Sequence, residues 1–268
     1  MLPEQFAGWQ LDLAVDDEHA YAALTADVIW NGYGIADLVP PYRAYTQVAV
    51  ARHREDARQA TCVILRHPVF NAIISAGDGD GLAALLAAVD LPTTAMLMVP
   101  VPLLPSIERF WQFTTGPLAM VRMQVERASL RPHPDWATIA TRMAAADVPD
   151  LQAFYAEHCG QHFTTEQVTE GPFFGMRQDG RIVAGGGTHA MAARYGIAAI
   201  GNILTHPSVR GRGYASAITS AVTATLLAEG CATVILNVVA SNTVARRLYQ
   251  RLGYLDYCDF WEGMGERR

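Results

Sequence analysis

Between Ala198 and Tyr254 the apolar positions change period in a regular order. Ala198 to Thr205 (Ala-Ala-Ile-Gly-Asn-Ile-Leu-Thr) is a mostly apolar run with the length of a buried strand. From Gly213 to Glu229, Ile218, Val222 and Leu226 recur every fourth position and lay one stripe along a helix. Gly230 stops that helix, and Cys231 to Val239 returns to the β-branched residues of a second buried strand. Ser241 and Asn242 offer an N-cap for a helix to Leu252, and Gly253 a left-handed stop. The predicted order is strand, turn, helix, strand, helix.

The turn between the first strand and the first helix carries the most chemistry. His206-Pro207-Ser208 leads into Arg210-Gly211-Arg212-Gly213-Tyr214-Ala215, which opens the helix. A glycine-rich turn at a helix start aims several backbone N–H groups at one point, where the helix dipole adds partial positive charge. With two arginines beside it, the place suits a phosphate or pyrophosphate. The lysine and hydroxyl of a nucleotide-hydrolysing P-loop are missing. A dinucleotide fingerprint fails too, because Ser216 stands at its third position and Glu229, the acid at about the right distance, falls at a helix end. The turn therefore reads as one that holds a pyrophosphate without cleaving it. On the next helix Asn242, Ala245 and Tyr249 lie at i, i+3 and i+7, so one face carries an amide, a gap and a phenol. A plain helix cap at Asn242 and a packed aromatic at Tyr249 are the simpler readings of the same residues.

From about Thr138 to the end, the chain resembles the GNAT superfamily of acyl-CoA-dependent N-acyltransferases. The family signature Gln/Arg-x-x-Gly-x-Gly/Ala is met by Arg210 to Ala215. A second signature, Asn, then Ala, then Leu-Tyr before Gly and an aromatic, is met by Asn242, Ala245, Leu248-Tyr249 and Gly253-Tyr254. The resemblance implies an α/β fold of the α+β type, with a mixed central sheet flanked by helices in two lobes. It implies acetyl-CoA as acyl donor and a primary amine as acceptor, attacking directly in a ternary complex. In that scheme Arg210, Gly211, Arg212, Gly213, Tyr214 and Ala215 hold the pyrophosphate, and Asn242 lies along the pantetheine arm. The first strand splays from the second, freeing backbone N–H groups of Ile203, Leu204 or Thr205 for the acyl carbonyl. Tyr249 is the candidate acid for the leaving thiolate. Some relatives place a glutamate early in the first strand, where this chain has Ala198 and Ala199. His189, Asn202 and a water chain are left as candidate bases. The missing carboxylate keeps a competing class open, an acyl-CoA-binding sensor without turnover.

The first half repeats the element order. Asn71 to Ala76 reads as a strand, Gly77 to Gly81 as a glycine turn, Leu82 to Val89 as a helix, Thr94 to Val99 as a strand and Ser106 to Phe113 as a helix. This suggests a degenerate GNAT-like or accessory lobe. Its turn carries Asp78 and Asp80 where the other carries arginines, and two carboxylates would repel a pyrophosphate. Arg131-Pro132-His133-Pro134 breaks regular structure, so the expected domains are 1–130 and 131–268. In the second, Ala137 to Met143 is the expected first strand and Asp147 the N-cap of the first helix. Phe173 to Arg177 and Arg181 to Met191 form a hairpin in which Gly185-Gly186-Gly187 suggests a bulge.

Composition narrows the setting. A chain of 268 residues, 51% of them hydrophobic, can bury a core in each of two lobes. The net charge of −6 argues against nucleic acid as a partner. Cys62, Cys159, Cys231 and Cys258 show no metal or disulfide spacing, and His158 and His162 lack a zincin glutamate, so no metal is expected. Residues around Glu4 lack the basic start of a secretory signal, and Ala95 to Leu104 is shorter than the roughly 20 residues of a membrane span. The expectation is a cytoplasmic protein with no membrane partner. Oligomeric state is left open, a homodimer included.

Overall fold

The computed structural model describes residues 6–158, 163 and 165–268, which fall into two compact units. The first is Met1–Arg122 with Val239–Ser241 and Tyr257–Arg268, and the second is Met123–Val238 with Asn242–Asp256. The expected split of 1–130 and 131–268 put the C-terminal segment in the other domain. The structure returns the chain to the first unit for its last strand.

In the first unit β1 (Trp9–Asp12), β2 (Thr46–His53), β3 (Gln59–Arg66) and β4 (Asn71–Gly77) pair antiparallel in succession. The helix Gly79–Ala88 then crosses over, and β5 (Thr94–Pro100) lies parallel to β4. Leu82, Leu85 and Leu86 of the helix are buried against Ala49, Cys62, Ile64, Ile73 and Leu97 of the sheet. That apolar seam explains why a sequence this rich in alanine and leucine forms a crossover helix here. After β6 (Trp111–Phe113), β7 (Leu118–Glu126) carries the chain into the second unit.

The second unit repeats the plan. β8 (Thr141–Arg142), β9 (Phe173–Gln178), β10 (Arg181–Ala192) and β11 (Ile197–Thr205) are antiparallel neighbours. The helix Tyr214–Ala228 crosses to β12 (Thr233–Val239), parallel to β11, and the helix Thr243–Arg251 follows. β13 (Leu255–Arg267) ends the chain, with its residues 260–267 paired antiparallel to β5 and β6. In both units the parallel pair keeps register briefly, Ala72–Ile74 with Met96–Met98 and Ile197–Ala199 with Thr233–Ile235. This shared feature supports the repetition read from element order more strongly than the order itself.

Three expectations are corrected. Ser106 to Phe113 is not one helix: the helix is Leu104–Glu108, and Trp111–Phe113 forms β6 because a strand partner is available in Gly265–Arg267. Ala137 to Met143 is not a strand: Trp136–Ile139 is a short helix and only Thr141–Arg142 pairs with β9. Asp147 does not cap the helix Val148–His158; its carboxylate accepts from Ala144 N–H at 2.9 Å and from Arg177 at 2.7 Å. The expectations on Glu4, Cys159 and His162, and on the His158 side chain, lie outside the described residues. No described helix is long and apolar enough to cross a membrane.

Candidate active site

The site begins where β11 and β12 part. Pairing ends at Ala199 with Ile235. Along β11 the residues Ile197 to Ile200 are buried, whereas Gly201 to Thr205 are half-buried, as expected of a strand that has lost its neighbour on one side. Ile203, Leu204 and Thr205, the residues expected to offer backbone N–H groups, are all in this opened part. Opposite, on the β10 side, the ladder is irregular: Leu204 pairs with Gly185 and Gly201 with Gly187, so Asn202 and Ile203 face Gly186 alone. This is a β-bulge, and Asn202 adopts φ 56° within it. The glycine triplet accommodates its neighbours. An added Cβ would lie 2.9 Å from the Tyr155 hydroxyl at Gly185, 2.3 Å from Ile203 at Gly186 and 2.1 Å from the Phe173 ring at Gly187.

The turn after β11 has the conformation its glycines suggested. Gly211 and Gly213 take φ 78° and 82°, where a side chain is strained. Gly213 is the N-cap of Tyr214–Ala228, and no side chain caps that helix. The first-turn N–H groups, including those of Tyr214 and Ala215, thus lack a side-chain acceptor, and the dipole's positive end is open to an anion. Space above Gly211 is empty to 4 Å. Arg210 and Arg212 are exposed beside it, and Arg210 Nε donates to Thr205 O at 3.3 Å, tying the turn to the end of β11. An open helix start with two arginines and a glycine cradle is suited to a diphosphate group.

The matching turn of the first unit is closed. Asp78 caps the helix Gly79–Ala88 with its own carboxylate, accepting from Asp80 N–H at 2.9 Å and Gly81 N–H at 3.1 Å. Its carboxylate thus takes up the N–H groups that an anion would need. Divergence of β4 and β5 there leaves a cavity of about 380 Å³ lined by Trp30, Asn31, Thr61, Pro100 and Leu103 among others, without an arginine in its wall.

His133 is a neighbour of the turn that sequence reasoning treated only as part of a chain break. Its Nε2 stands 3.1 Å from where a Cβ on Gly213 would be, its backbone N–H bonds Ser220 Oγ at 2.8 Å, and its Nδ1 accepts from Asp135 N–H at 3.2 Å. With Nδ1 an acceptor, a neutral ring carries its proton on Nε2, beside the helix start.

On the helix Thr243–Arg251, Asn242 Oδ1 accepts from Ala245 N–H at 3.1 Å. Its side-chain oxygen thus serves as the cap, the simpler of the two sequence readings. Tyr249 is 8% exposed, and burial pushes its phenol up to about 12. Its ring packs against Tyr254 at 5.9 Å, and Tyr254 in turn bonds Thr223 on the turn's helix at 2.7 Å. These two contacts link Tyr249 to the helix that the glycine turn opens.

The candidate bases separate. Ala198 and Ala199 are buried, at 1% and 2% exposure, and supply no proton acceptor. Asn202 Nδ2 is engaged with Gln167 Oε1 at 2.8 Å. His189 is exposed, its ring lies against Gly201, and desolvation of that ring lowers its pKa. Among the described residues no group of three or more His, Cys, Asp and Glu could hold a metal ion.

Residues 135–254 match the family model described as the Acetyltransferase (GNAT) family. Solved structures share the fold along the chain. A Drosophila protein superposes with a TM-score of 0.68 at 14% identity, over 96% of this chain and 98% of its own. A GCN5-related N-acetyltransferase from Sphaerobacter thermophilus gives 0.58 at 16% identity, over 100% and 98%. A tandem GNAT protein from the clavulanic acid biosynthesis pathway gives 0.54 at 14% identity, over 97% and 98%. Strand splay, glycine turn and tyrosine helix all fall inside the matched segment, and residues 135–254 are a domain of the acetyltransferase (GNAT) family.

Proposed function

We propose that the protein transfers the acetyl group of acetyl-CoA to a primary amine by direct attack in a ternary complex. The observation that carries this reading is the uncapped helix start at Gly213, flanked by Arg210 and Arg212, at the end of a strand that has parted from its parallel neighbour. We read the first unit as a second lobe of the same plan that does not hold CoA, because Asp78 occupies its own helix N-terminus. The tandem GNAT protein among the structural neighbours is in keeping with that reading.

CoA supplies a thioester, whose carbonyl accepts a nucleophile and whose sulfur leaves. The turn binds the diphosphate and fixes the donor. The opened backbone at Ile203–Thr205 donates hydrogen bonds to the carbonyl oxygen as negative charge grows on it. The neutral amine forms the C–N bond, the C–S bond breaks, and the proton shed by nitrogen passes to His189 or to water. Tyr249, protonated at every physiological pH, donates a hydrogen bond to the departing sulfur. Holding both reactants in one site supplies much of the remaining acceleration.

Thiol release from acetyl-CoA, measured with a panel of small amines, amino acids, polyamines and N-terminal peptides, tests the proposal. Turnover with at least one class supports it. The lack of a carboxylate at Ala198 and Ala199 favours a second reading, a sensor that binds acyl-CoA without using it. Saturable acetyl-CoA binding with no turnover across the panel would select that reading.

A further inference from the structure

We propose that Tyr155 is a positioning residue for acyl transfer: with Gln167 it holds the bulge at Asn202 and thereby aims the backbone N–H of Ile203. The inference rests on the acyltransferase reading above.

The argument starts from one peptide unit. Asn202 C=O and Ile203 N–H belong to the same planar trans peptide, so they point in opposite directions. Tyr155 OH donates to Asn202 O at 2.6 Å. Fixing the carbonyl on that side fixes the Ile203 N–H on the other. Asparagine is among the few residues with a side chain that take a left-handed φ readily, so Asn202 can sit at 56° as well as in a regular strand, and the bond from Tyr155 selects the bulge over regular pairing with β10. A regular strand turns that N–H into the ladder.

Tyr155 is built for a fixed hydroxyl. Its side chain is 1% exposed, stacked on Phe163 at 5.1 Å and edge-on to Phe173 at 6.2 Å. Gly185 leaves the room its hydroxyl needs, since a Cβ there would come within 2.9 Å of it. The second hold is on the side chain of the same residue, where Asn202 Nδ2 donates to Gln167 Oε1 at 2.8 Å. Carbonyl and amide of Asn202 are therefore held from two different helices, Val148–His158 and Glu166–Thr169. Nothing in the packing of a regular strand requires either bond.

Tyr155→Phe removes the hydroxyl and keeps the stacked ring. Expected is a fall in kcat of roughly 10- to 100-fold, the scale of a misplacement of about 1 Å. Acetyl-CoA affinity should stay within about twofold, because the diphosphate turn is untouched. Adding Asn202→Gly should restore part of kcat, since glycine takes positive φ without a clamp. Amide hydrogen exchange gives a readout independent of turnover: Ile203 should exchange faster in Tyr155→Phe while the helix Tyr214–Ala228 stays protected. Wild-type turnover tests the underlying reading separately. A Tyr155→Phe protein with wild-type kcat and unchanged exchange at Ile203 overturns the proposal, as does a parallel loss of acetyl-CoA affinity and fold that Asn202→Gly does not relieve.

Discussion

Replacing Tyr249 by phenylalanine separates two ways a phenol can assist a leaving thiolate. Burial raises the Tyr249 pKa to about 12, against roughly 8.5 for an alkyl thiol. Full proton transfer from this phenol to the sulfur is uphill by about 5 kcal/mol, so the structure points to a hydrogen bond that stays a hydrogen bond. Such a bond to a developing anion is worth about 1.5–3 kcal/mol. Tyr249→Phe should therefore lower kcat by roughly 10- to 150-fold, with little change in the affinity for acetyl-CoA. Continuous detection of released thiol measures it. The pH profile adds a second check: at pH 10 a group of pKa 12 is still about 99% protonated, so activity should show no alkaline fall assignable to Tyr249 below that pH. A variant that keeps wild-type kcat would refute the role given to this residue, and an alkaline limb near pH 9 that disappears in the variant would refute the hydrogen-bond account.

Three further outcomes are expected. His133→Ala should weaken acetyl-CoA binding by roughly 3- to 10-fold by removing the Nε2–H donor beside Gly213, with Asn in its place restoring part of the affinity, as read by calorimetric titration. Asp78→Ala should cost about 1 kcal/mol of stability through its lost cap in the first unit, seen in denaturant unfolding, and leave acetyl-CoA affinity unchanged. Asp37 is buried, and burial alone pushes its carboxyl up to about 7 from the ordinary 3.8. Because its folded pKa is the higher one, its contribution is fully present below about pH 4 and is lost as pH rises through 7. Asp37→Asn should flatten that slope and raise stability at pH 8 by up to about 4 kcal/mol, measured as unfolding free energy against pH.

The sequence made the second unit's glycine turn legible because its signals are local. Gly211 and Gly213 are needed for positive φ, and apolar spacing alone marks the helix after them. Asn242 and Gly253 likewise punctuate their helix at the positions expected, φ 97° at Gly253 included. The clamp on Asn202 was not legible. Tyr155 is 47 residues from its partner and Gln167 is 35, and in a linear reading each is an ordinary helical residue. His133 was hidden for a related reason: flanked by two prolines it looked like pure chain breakage, and only the fold sets it over Gly213. Trp111–Phe113 failed as a helix because a strand far along the chain offers it a ladder, and such a partner overrides local propensity. In the first unit the element order was readable, but Asp78 was expected to repel a pyrophosphate. In the structure it also acts more directly, by taking the N–H groups itself.

Thermal unfolding with and without acetyl-CoA tests the central claim most directly, since a ligand that binds only the folded state raises the midpoint. At a free concentration 100 times its dissociation constant the gain is about 2.7 kcal/mol, which corresponds to roughly 5–10 °C for a domain of this size. The account predicts that shift with acetyl-CoA, its loss or marked reduction in Arg210→Glu, and no comparable shift with ATP or NAD. An unchanged midpoint at millimolar acetyl-CoA, or a shift that Arg210→Glu leaves intact, would contradict the assignment of the turn at Gly211–Gly213 to the CoA diphosphate.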